Sequence, residues 1–311
     1  MKAVVIHRYG QVGDVVDVTD IPTPSPGPDE VLVKVRAAGV NPIDHLIVKG
    51  FMGAGEPPWP VVIGSEAAGV VVATGTAVTR FAVGDEVFAR LDPRKGGAFA
   101  EFVGVHDSLV ATKPASLSFE EAASLPLVGL TAWQALTEQA TVGEGSRVLI
   151  HGGAGGVGSV AVQIAKSLGA EVIATASTDS VELVRGLGAD HVIDYRTEQF
   201  DELVSDVDVV LDTVGGQAQK RSFRVLKPGG ILVSIVPIAE ADARKAEWKV
   251  EARSFFMHPD GAQLTHLADL VRDGRLRPLL QNVFPLDAAA DALTSVERGG
   301  ARGKTVISVS S

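Results

Sequence analysis

Eight residues, His151-Gly-Gly-Ala-Gly-Gly-Val-Gly158, constrain this 311-residue chain more than any others. A continuous apolar run, Val148-Leu-Ile150, precedes them. After them Val157, Val160, Ala161, Ile164, Ala165 and Leu168 fall at i, i+3, i+4, i+7, i+8 and i+11. The run reads as a buried strand and the spacing as one face of a helix. Gly153, Gly155 and Gly158 therefore fit G-x-G-x-x-G in the strand-to-helix context that the motif requires. Glycine permits positive φ and leaves no Cβ between the main chain and a pyrophosphate. Free N–H groups at the helix start, together with the helix dipole, favour the anion. A dinucleotide is the expected ligand. The alternative is a glycine turn that only packs helix against strand.

The pattern repeats downstream. Apolar strands are expected at 171–176, 191–194, 207–211 and 231–236, with helical stretches between them, including 179–187. Such alternation gives a parallel sheet covered on both faces, and right-handed crossovers make it a doubly wound Rossmann fold. An NAD site usually places Asp or Glu at the tip of the second strand. Here the run is Ile173-Ala-Thr-Ala-Ser177, which leaves room for a 2′-phosphate. Asp179 follows and reads either as an opposing charge or as a helix N-cap. Arg185 and Arg196 are candidate phosphate partners or solvated cations. NADPH is favoured over NADH.

Residues before Ser118 read differently. Lys2–His7 is a short apolar run, and Val31, Val33 and Val35 alternate with Leu32, Lys34 and Arg36. Four prolines in Ile21–Pro28 forbid a ladder there. Further short runs at 69–74, 86–89, 99–105 and 109–111 are punctuated by Gly, Pro and Asp, suggesting a partly open β-barrel. Ser118-Phe-Glu-Glu121 has the spacing of a capping box. Helices at 263–272 and 287–296 and a strand at 304–309 form a tail that returns to the β module. The expected division is 1–120, 121–260 and 261–311.

Composition excludes several classes. Lys and Arg number 28 against 38 Asp and Glu, a net charge of −10, which disfavours non-specific nucleic-acid binding. The chain has no cysteine, hence no disulfide, no thiolate catalysis and no cysteine-ligated zinc. No segment approaches about 18 uncharged apolar residues, so no membrane span is expected. Met1–Gly10 has no apolar stretch of signal-peptide length. These features together suggest a cytoplasmic location.

Several further motifs then fall into one order: Ala38-Gly-Val-Asn-Pro-Ile-Asp44, Gly64-Ser-Glu-Ala-Ala-Gly69, Gly97-Ala-Phe-Ala-Glu-Phe102, Leu125-Pro-Leu-Val-Gly-Leu-Thr-Ala-Trp133, Asp212-Thr-Val-Gly-Gly216 and Ala301-Arg-Gly-Lys304. With the glycine loop, they make the whole chain resemble the zinc-independent quinone-oxidoreductase (zeta-crystallin-like) branch of the medium-chain dehydrogenase/reductases. The resemblance implies a GroES-like β-barrel domain beside the Rossmann domain, with the active site in the cleft between them. Zinc relatives place Cys at the position of Asn41 and His at that of Ser65, so no metal is expected. Without a Lewis acid, hydride donation suits acceptors that are already electron-poor, namely quinones and α,β-unsaturated carbonyls.

Roles follow by resemblance. Asn41 and Thr131 line the nicotinamide and substrate region, Asn41 either as an amide donor to a carbonyl oxygen or as a turn residue before Pro42. Pro126 and Leu127 pack beside the ring. Gly155, Gly156, Val157 and Gly158 hold the pyrophosphate. Ser177 and Tyr195 contact the adenosine phosphate and adenine, and Val214 belongs to the Asp212–Gly216 motif at the cofactor. Val236 and Ile238 face the nicotinamide amide. Arg302 and Lys304 return to the cofactor or form a basic turn. Val181 stands where some relatives carry a phosphate-binding Lys, and Leu46 where some carry Tyr. His45 is either a proton donor or a surface helix residue. Residues 49–60 are expected to form a substrate-side loop and residues 250–256 a sheet edge for a homodimer. Alternatives to quinone or enone reduction are enoyl-thioester reduction and NADPH binding with little turnover.

Overall fold

A computed structural model describes residues 1–51, 58–92, 95–238 and 241–309. Part of the expected substrate-side loop, residues 52–57, lies outside this range. The chain divides into two compact units. The first comprises Met1–Leu127, Pro259–Asp273 and Pro278–Ser311; the second comprises Val128–His258 and Gly274–Arg277.

The first unit is built on a seven-stranded sheet and a three-stranded one. Its long strand Glu30–Val40 pairs antiparallel with Glu66–Thr74, with Phe102–His106 and with the tail strand Lys304–Ser308. The tail is thus an integral member of the sheet, and residues near position 304 come beside residues near position 40. The three-stranded sheet centres on Lys2–Ile6, flanked by Val16–Asp20 and Val61–Val62. Valines and alanines from these strands fill the core with the helix Ala289–Glu297. The small, β-branched composition suits a half-buried pleated surface. The capping box at Ser118 is formed: Ser118 N donates to Glu121 Oε2 at 2.8 Å, and Glu121 N to Ser118 Oγ at 3.1 Å.

The second unit carries a six-stranded, wholly parallel sheet. Its spatial order is His191–Asp194, Glu171–Ala176, Arg147–Ile150, Val207–Asp212, Leu226–Ser234 and Glu251–Ser254. The order reverses between Arg147–Ile150 and Val207–Asp212, the switch point at which ligands bind in open α/β sheets. The connecting helices include Gly156–Ser167, whose apolar face lies in the core.

Some elements differ from their expected form. A 3₁₀ turn, Thr178–Ser180, precedes the helix Val181–Gly186, so the expected helix over 179–187 starts later. Pro126–Gln134 is a helix that no periodicity announces, because it is apolar on nearly every side and buried accordingly. The edge strand Leu280–Pro285 was not anticipated; only alternate residues are half-buried, too weak a pattern to separate from a loop.

Gly64 immediately precedes Ser65 and Glu66 with φ = +87°, and a Cβ there would lie 2.2 Å from the Phe99 ring. Gly64→Ala is expected to cost about 2 kcal/mol or more through left-handed strain and ring displacement. Chemical denaturation of the variant against the parent chain measures this.

Candidate active site

In the second unit, backbone geometry leaves the glycine loop open at one end. Gly152 has φ = +68°. Its N–H donates to Thr175 Oγ1 at 3.2 Å, and Gly153 N donates to Thr175 O at 2.9 Å. Gly155 is the N-cap of Gly156–Ser167, and Ser159 N makes the first helical bond, to Gly155 O at 2.9 Å. The N–H groups of Gly156, Val157 and Gly158 therefore precede the helical ladder, and residues 155–157 are half-exposed. A Cβ on Gly158 would lie 2.1 Å from Gly152 O, so the turn closes only around glycine. These donors and the helix dipole suit a pyrophosphate.

The wall behind the loop is a complete polar network. His151 is fully buried. Its Nε2 lies 2.8 Å from Ser222 Oγ, and Ser222 Oγ donates to Ala218 O at 2.7 Å. The single Ser222 hydrogen is thereby committed, so His151 Nε2 carries the ring proton. Nδ1 then accepts from Thr175 Oγ1 at 3.1 Å, while Thr175 accepts the Gly152 N–H. Burial pushes the His151 pKa down to about 4, against the pull of Asp212. Asp212, also fully buried, accepts Val214 N at 3.0 Å and Gly215 N at 2.8 Å through Oδ1. Its Oδ2 accepts from Gln219 and Ser234, both at 2.8 Å.

The first unit contains a buried charged centre. Asn41, Asp44, Ser65, Glu66, Arg90 and Lys304 are all less than a tenth exposed. Lys304 Nζ donates to Val40 O at 3.0 Å, to Glu66 Oε1 at 2.9 Å and to Asn41 Oδ1. Asn41 Nδ2 donates to Glu66 Oε1 at 2.6 Å, and Leu127 N donates to Glu66 Oε2 at 2.7 Å. Asp44 accepts Asn41 N at 2.8 Å and Ser65 Oγ at 3.2 Å. Burial raises the Asp44 pKa to about 6; the Asn41 N–H bond and the charges of Arg90 and Lys304 oppose that rise, and Glu66 adds to it.

Comparison with known proteins agrees with this architecture. Residues 27–115 match the model of the alcohol dehydrogenase GroES-like domain, and residues 187–307 that of a zinc-binding dehydrogenase. The human mitochondrial NAD(P)H oxidoreductase RTN4IP1 is 39% identical over 91% of this chain and 82% of its own length. The chloroplastic NADPH-dependent alkenal/one oxidoreductase of Arabidopsis thaliana is 36% identical over 99% of this chain and 79% of its own length. A quinone oxidoreductase from Coxiella burnetii superposes with a TM-score of 0.89 at 35% identity, covering 100% of this chain and 99% of that one. The chain belongs to the medium-chain dehydrogenase/reductase family. Within this family it falls in the quinone-oxidoreductase branch, with a GroES-like domain and a Rossmann sheet.

One expectation is overturned by these relatives. Their names are mitochondrial and chloroplastic, so the cytoplasmic location suggested by composition does not stand. Location is set by sorting signals and the machinery that reads them, and bulk charge and cysteine content do not encode it.

Zinc, which the family model implies, does not fit the donors of this reductase. By the resemblance described above, Asn41 and Ser65 stand where zinc relatives carry Cys and His. The Asn41 oxygen is taken by an ammonium, and the Ser65 hydroxyl donates to Asp44. Among the described residues no group of three His, Asp or Glu could hold a metal ion.

The other expected site residues are distributed between the units. Val157, Ser177, Tyr195, Val214 and Val236 lie with the glycine loop at the carboxyl ends of the parallel strands. Ser177 is half-exposed and donates to Ser180 Oγ at 3.1 Å; Tyr195 is exposed. Ile238 packs against the core of its unit. Thr131 is buried on the helix Pro126–Gln134. Arg302 is exposed, and its N–H donates to Gln281 Oε1 at 2.7 Å.

Three roles need correction. Asn41 is fully buried: its Oδ1 accepts from Lys304 Nζ, and its Nδ2 donates to Glu66 Oε1 and, at 3.5 Å, to Gly39 O, so both of its N–H groups already face protein oxygens in this arrangement. Lys304 directs all three of its N–H groups to protein oxygens rather than to a cofactor. His45 neighbours Lys49 and Glu297, and its pKa is lowered, chiefly by burial. A depressed imidazole pKa works against the charged acid form that a proton donor needs. Sequence reasoning passed over Glu66, Arg90, His151 and Asp212 as site residues. The available signal was weak: Glu66 and Arg90 stand at the ends of their strands and become cross-strand partners only when those strands pair.

The two units carry opposite pH dependences. Asp44 has a folded pKa above its ordinary 3.8, so its neutral form favours folding, and that contribution is lost as pH rises through about 6. His151 has a folded pKa below its ordinary 6.5, so its contribution is present above 6.5 and lost as pH falls towards 4. Each effect is on the order of 3 kcal/mol. On acidification from pH 6.5 to 4, unit-resolved hydrogen exchange is expected to show the first unit gaining and the second losing protection. Asp44→Asn and His151→Asn should each flatten the slope of their own unit only.

Proposed function

We propose that this chain is an NADPH-dependent, zinc-independent reductase that transfers hydride to a quinone or an α,β-unsaturated carbonyl. The observation that carries this is a pair of facts about donors. The glycine turn presents unladdered N–H groups for a dinucleotide, while the metal-ligand positions hold an amide and a hydroxyl already engaged with protein groups. When bound, the reduced nicotinamide supplies the hydride. No Lewis acid is available at Asn41 and Ser65 to polarise an alcohol, so the acceptor must already be electron-poor. The enzymatic assignment agrees with the oxidoreductase relatives, one of which is named for alkenal and enone reduction.

The chain's own residues bind and orient. Gly156, Val157 and Gly158 receive the pyrophosphate, with Gly153 and Gly155 shaping the turn. Ser177 and Tyr195 take the adenosine end. The tip Ala176-Ser177 carries no carboxylate to repel a 2′-phosphate. This supports NADPH over NADH. Val214, Val236, Ile238 and Thr131 supply the second unit's part of the nicotinamide side. The proton that completes reduction comes from solvent, since the His45 imidazole, its pKa lowered chiefly by burial, is poorly suited to give it.

The protein acts as a homodimer through the sheet edge Glu251–Ser254. That strand pairs on one side with Leu226–Ser234, and Phe256 beside it is 59% exposed. An open edge next to an exposed aromatic favours pairing with an identical edge. Light scattering should give twice the mass of one chain, and Phe256→Asp should halve it. A monomeric parent chain would exclude the dimer.

Parallel calorimetric titration with NADPH and NADH, followed by turnover on a quinone and enone panel, tests the central proposal. NADPH is expected to bind about tenfold more tightly or better, with Ser177→Asp reversing the preference. Tight binding without multiple-turnover NADPH consumption would replace the reductase with a cofactor-binding protein.

A further inference from the structure

The strand Arg147–Ile150 lies between Glu171–Ala176 and Val207–Asp212 in the parallel sheet. As the chain leaves that strand, a threonine at the end of each neighbour reaches the same peptide group, the one joining His151 to Gly152. Thr213 Oγ1 donates to His151 O at 2.7 Å, and Thr175 Oγ1 accepts the Gly152 N–H at 3.2 Å. The peptide thus has a donor on one side and an acceptor on the other. Gly152 sits at φ = +68°, and a glycine at this place in a turn tolerates either orientation of the peptide plane before it. Only one orientation offers the carbonyl to Thr213 and the N–H to Thr175.

A hydroxyl hydrogen is free to rotate, so the acceptor role of Thr175 needs a cause. The His151 side chain supplies it. Ser222 Oγ gives its hydrogen to Ala218 O at 2.7 Å, and its oxygen accepts from His151 Nε2 at 2.8 Å. Nδ1 is then unprotonated and takes the Thr175 hydrogen at 3.1 Å. Phe200 packs edge-on against the imidazole, with ring centroids 4.7 Å apart, and holds its plane. The direction of the clamp is therefore set from the helix Gly216–Ser222 and passed through the imidazole to the peptide that follows it. The path continues into the turn. Gly155 N donates to Gly152 O at 2.9 Å, and Gly155 is the N-cap of Gly156–Ser167.

We propose that Thr175 and Thr213, with His151 setting their direction, are positioning residues for the dinucleotide. They lock the 151–152 peptide in the orientation from which the turn aims the Gly156, Val157 and Gly158 N–H groups at a pyrophosphate. Both hydroxyls act through the main chain. The role rests on the dinucleotide reading of the glycine turn given above.

The test is calorimetric titration of the whole chain with NADPH, comparing Thr175→Val, Thr175→Ser, Thr213→Val and Thr213→Ser. Valine keeps nearly the same shape and removes the hydroxyl; serine returns it. Each valine variant should bind NADPH about tenfold more weakly, and each serine variant should stay within about twofold of the parent chain. The valine variants are also expected to melt about 5 °C lower, so binding is measured far below that transition. A lower melting temperature with unchanged NADPH affinity in the valine variants would make the hydroxyls structural only and overturn the proposal. Serine variants as weak as the valine ones would overturn it too. Should Thr175→Val fail to fold, the Thr213 pair decides by the same comparison. Nitrogen-15 spectra of the parent chain at neutral pH should place the His151 ring proton on Nε2; a proton on Nδ1 would refute the direction of the clamp. A parent chain that binds neither NADPH nor NADH would remove the dinucleotide reading and the positioning role together, while the imidazole spectrum would still judge the clamp itself.

Discussion

The carboxylate of Glu66 is the point on which the first unit turns. It receives hydrogen bonds from residues 41, 127 and 304, three segments far apart in the chain. A buried carboxylate needs all of these donors, because any oxygen left without one carries its full desolvation cost. The requirement propagates outwards. Gly39 must lack a side chain, the tail must run antiparallel to Glu30–Val40, and Gly64 must take a left-handed turn just ahead of Ser65 and Glu66. Strand pairing and site chemistry are therefore one problem in this unit.

The second unit solves a different problem, keeping a few backbone donors free while satisfying all around them. His151, Thr175, Ser222 and Asp212 bind one another or the neighbouring main chain, so the polar groups behind the glycine loop are internally matched. The N–H groups at the start of Gly156–Ser167 stay outside the ladder because a helix cannot bond its own first turn. Glycine at 152 and 158 allows the chain to fold back tightly enough to present them. Preorganised main-chain donors of this kind need no rearrangement when an anion arrives.

Much of this was legible. The period of the apolar residues after Val157 and the continuous strand before His151 located the strand–glycine turn–helix, since helix and strand periods are local properties. The Ser118 capping box was visible from two residues. Less was legible where burial was complete on all sides. Pro126–Gln134 lacks a polar face to give it a period, and its helix was missed. Glu66 and Arg90 were not singled out, because nothing local says that their two strands pair and bury both charges.

Residue types and their local spacing determined the parallel sheet, the glycine turn, the absence of thiolate ligands and the acidic net charge. The glycine turn depends on contacts within a few residues, the sheet is announced by the local alternation of strand and helix periods, and the last two follow from composition alone. Only the tertiary structure decided what Asn41, His45 and Lys304 do. Their hydrogen bonds and charge neighbours lie up to 264 positions away, and a side chain's role depends on which partners reach it first. An amide that might have met a substrate oxygen meets an ammonium, because the last strand of the chain brings that ammonium to its side.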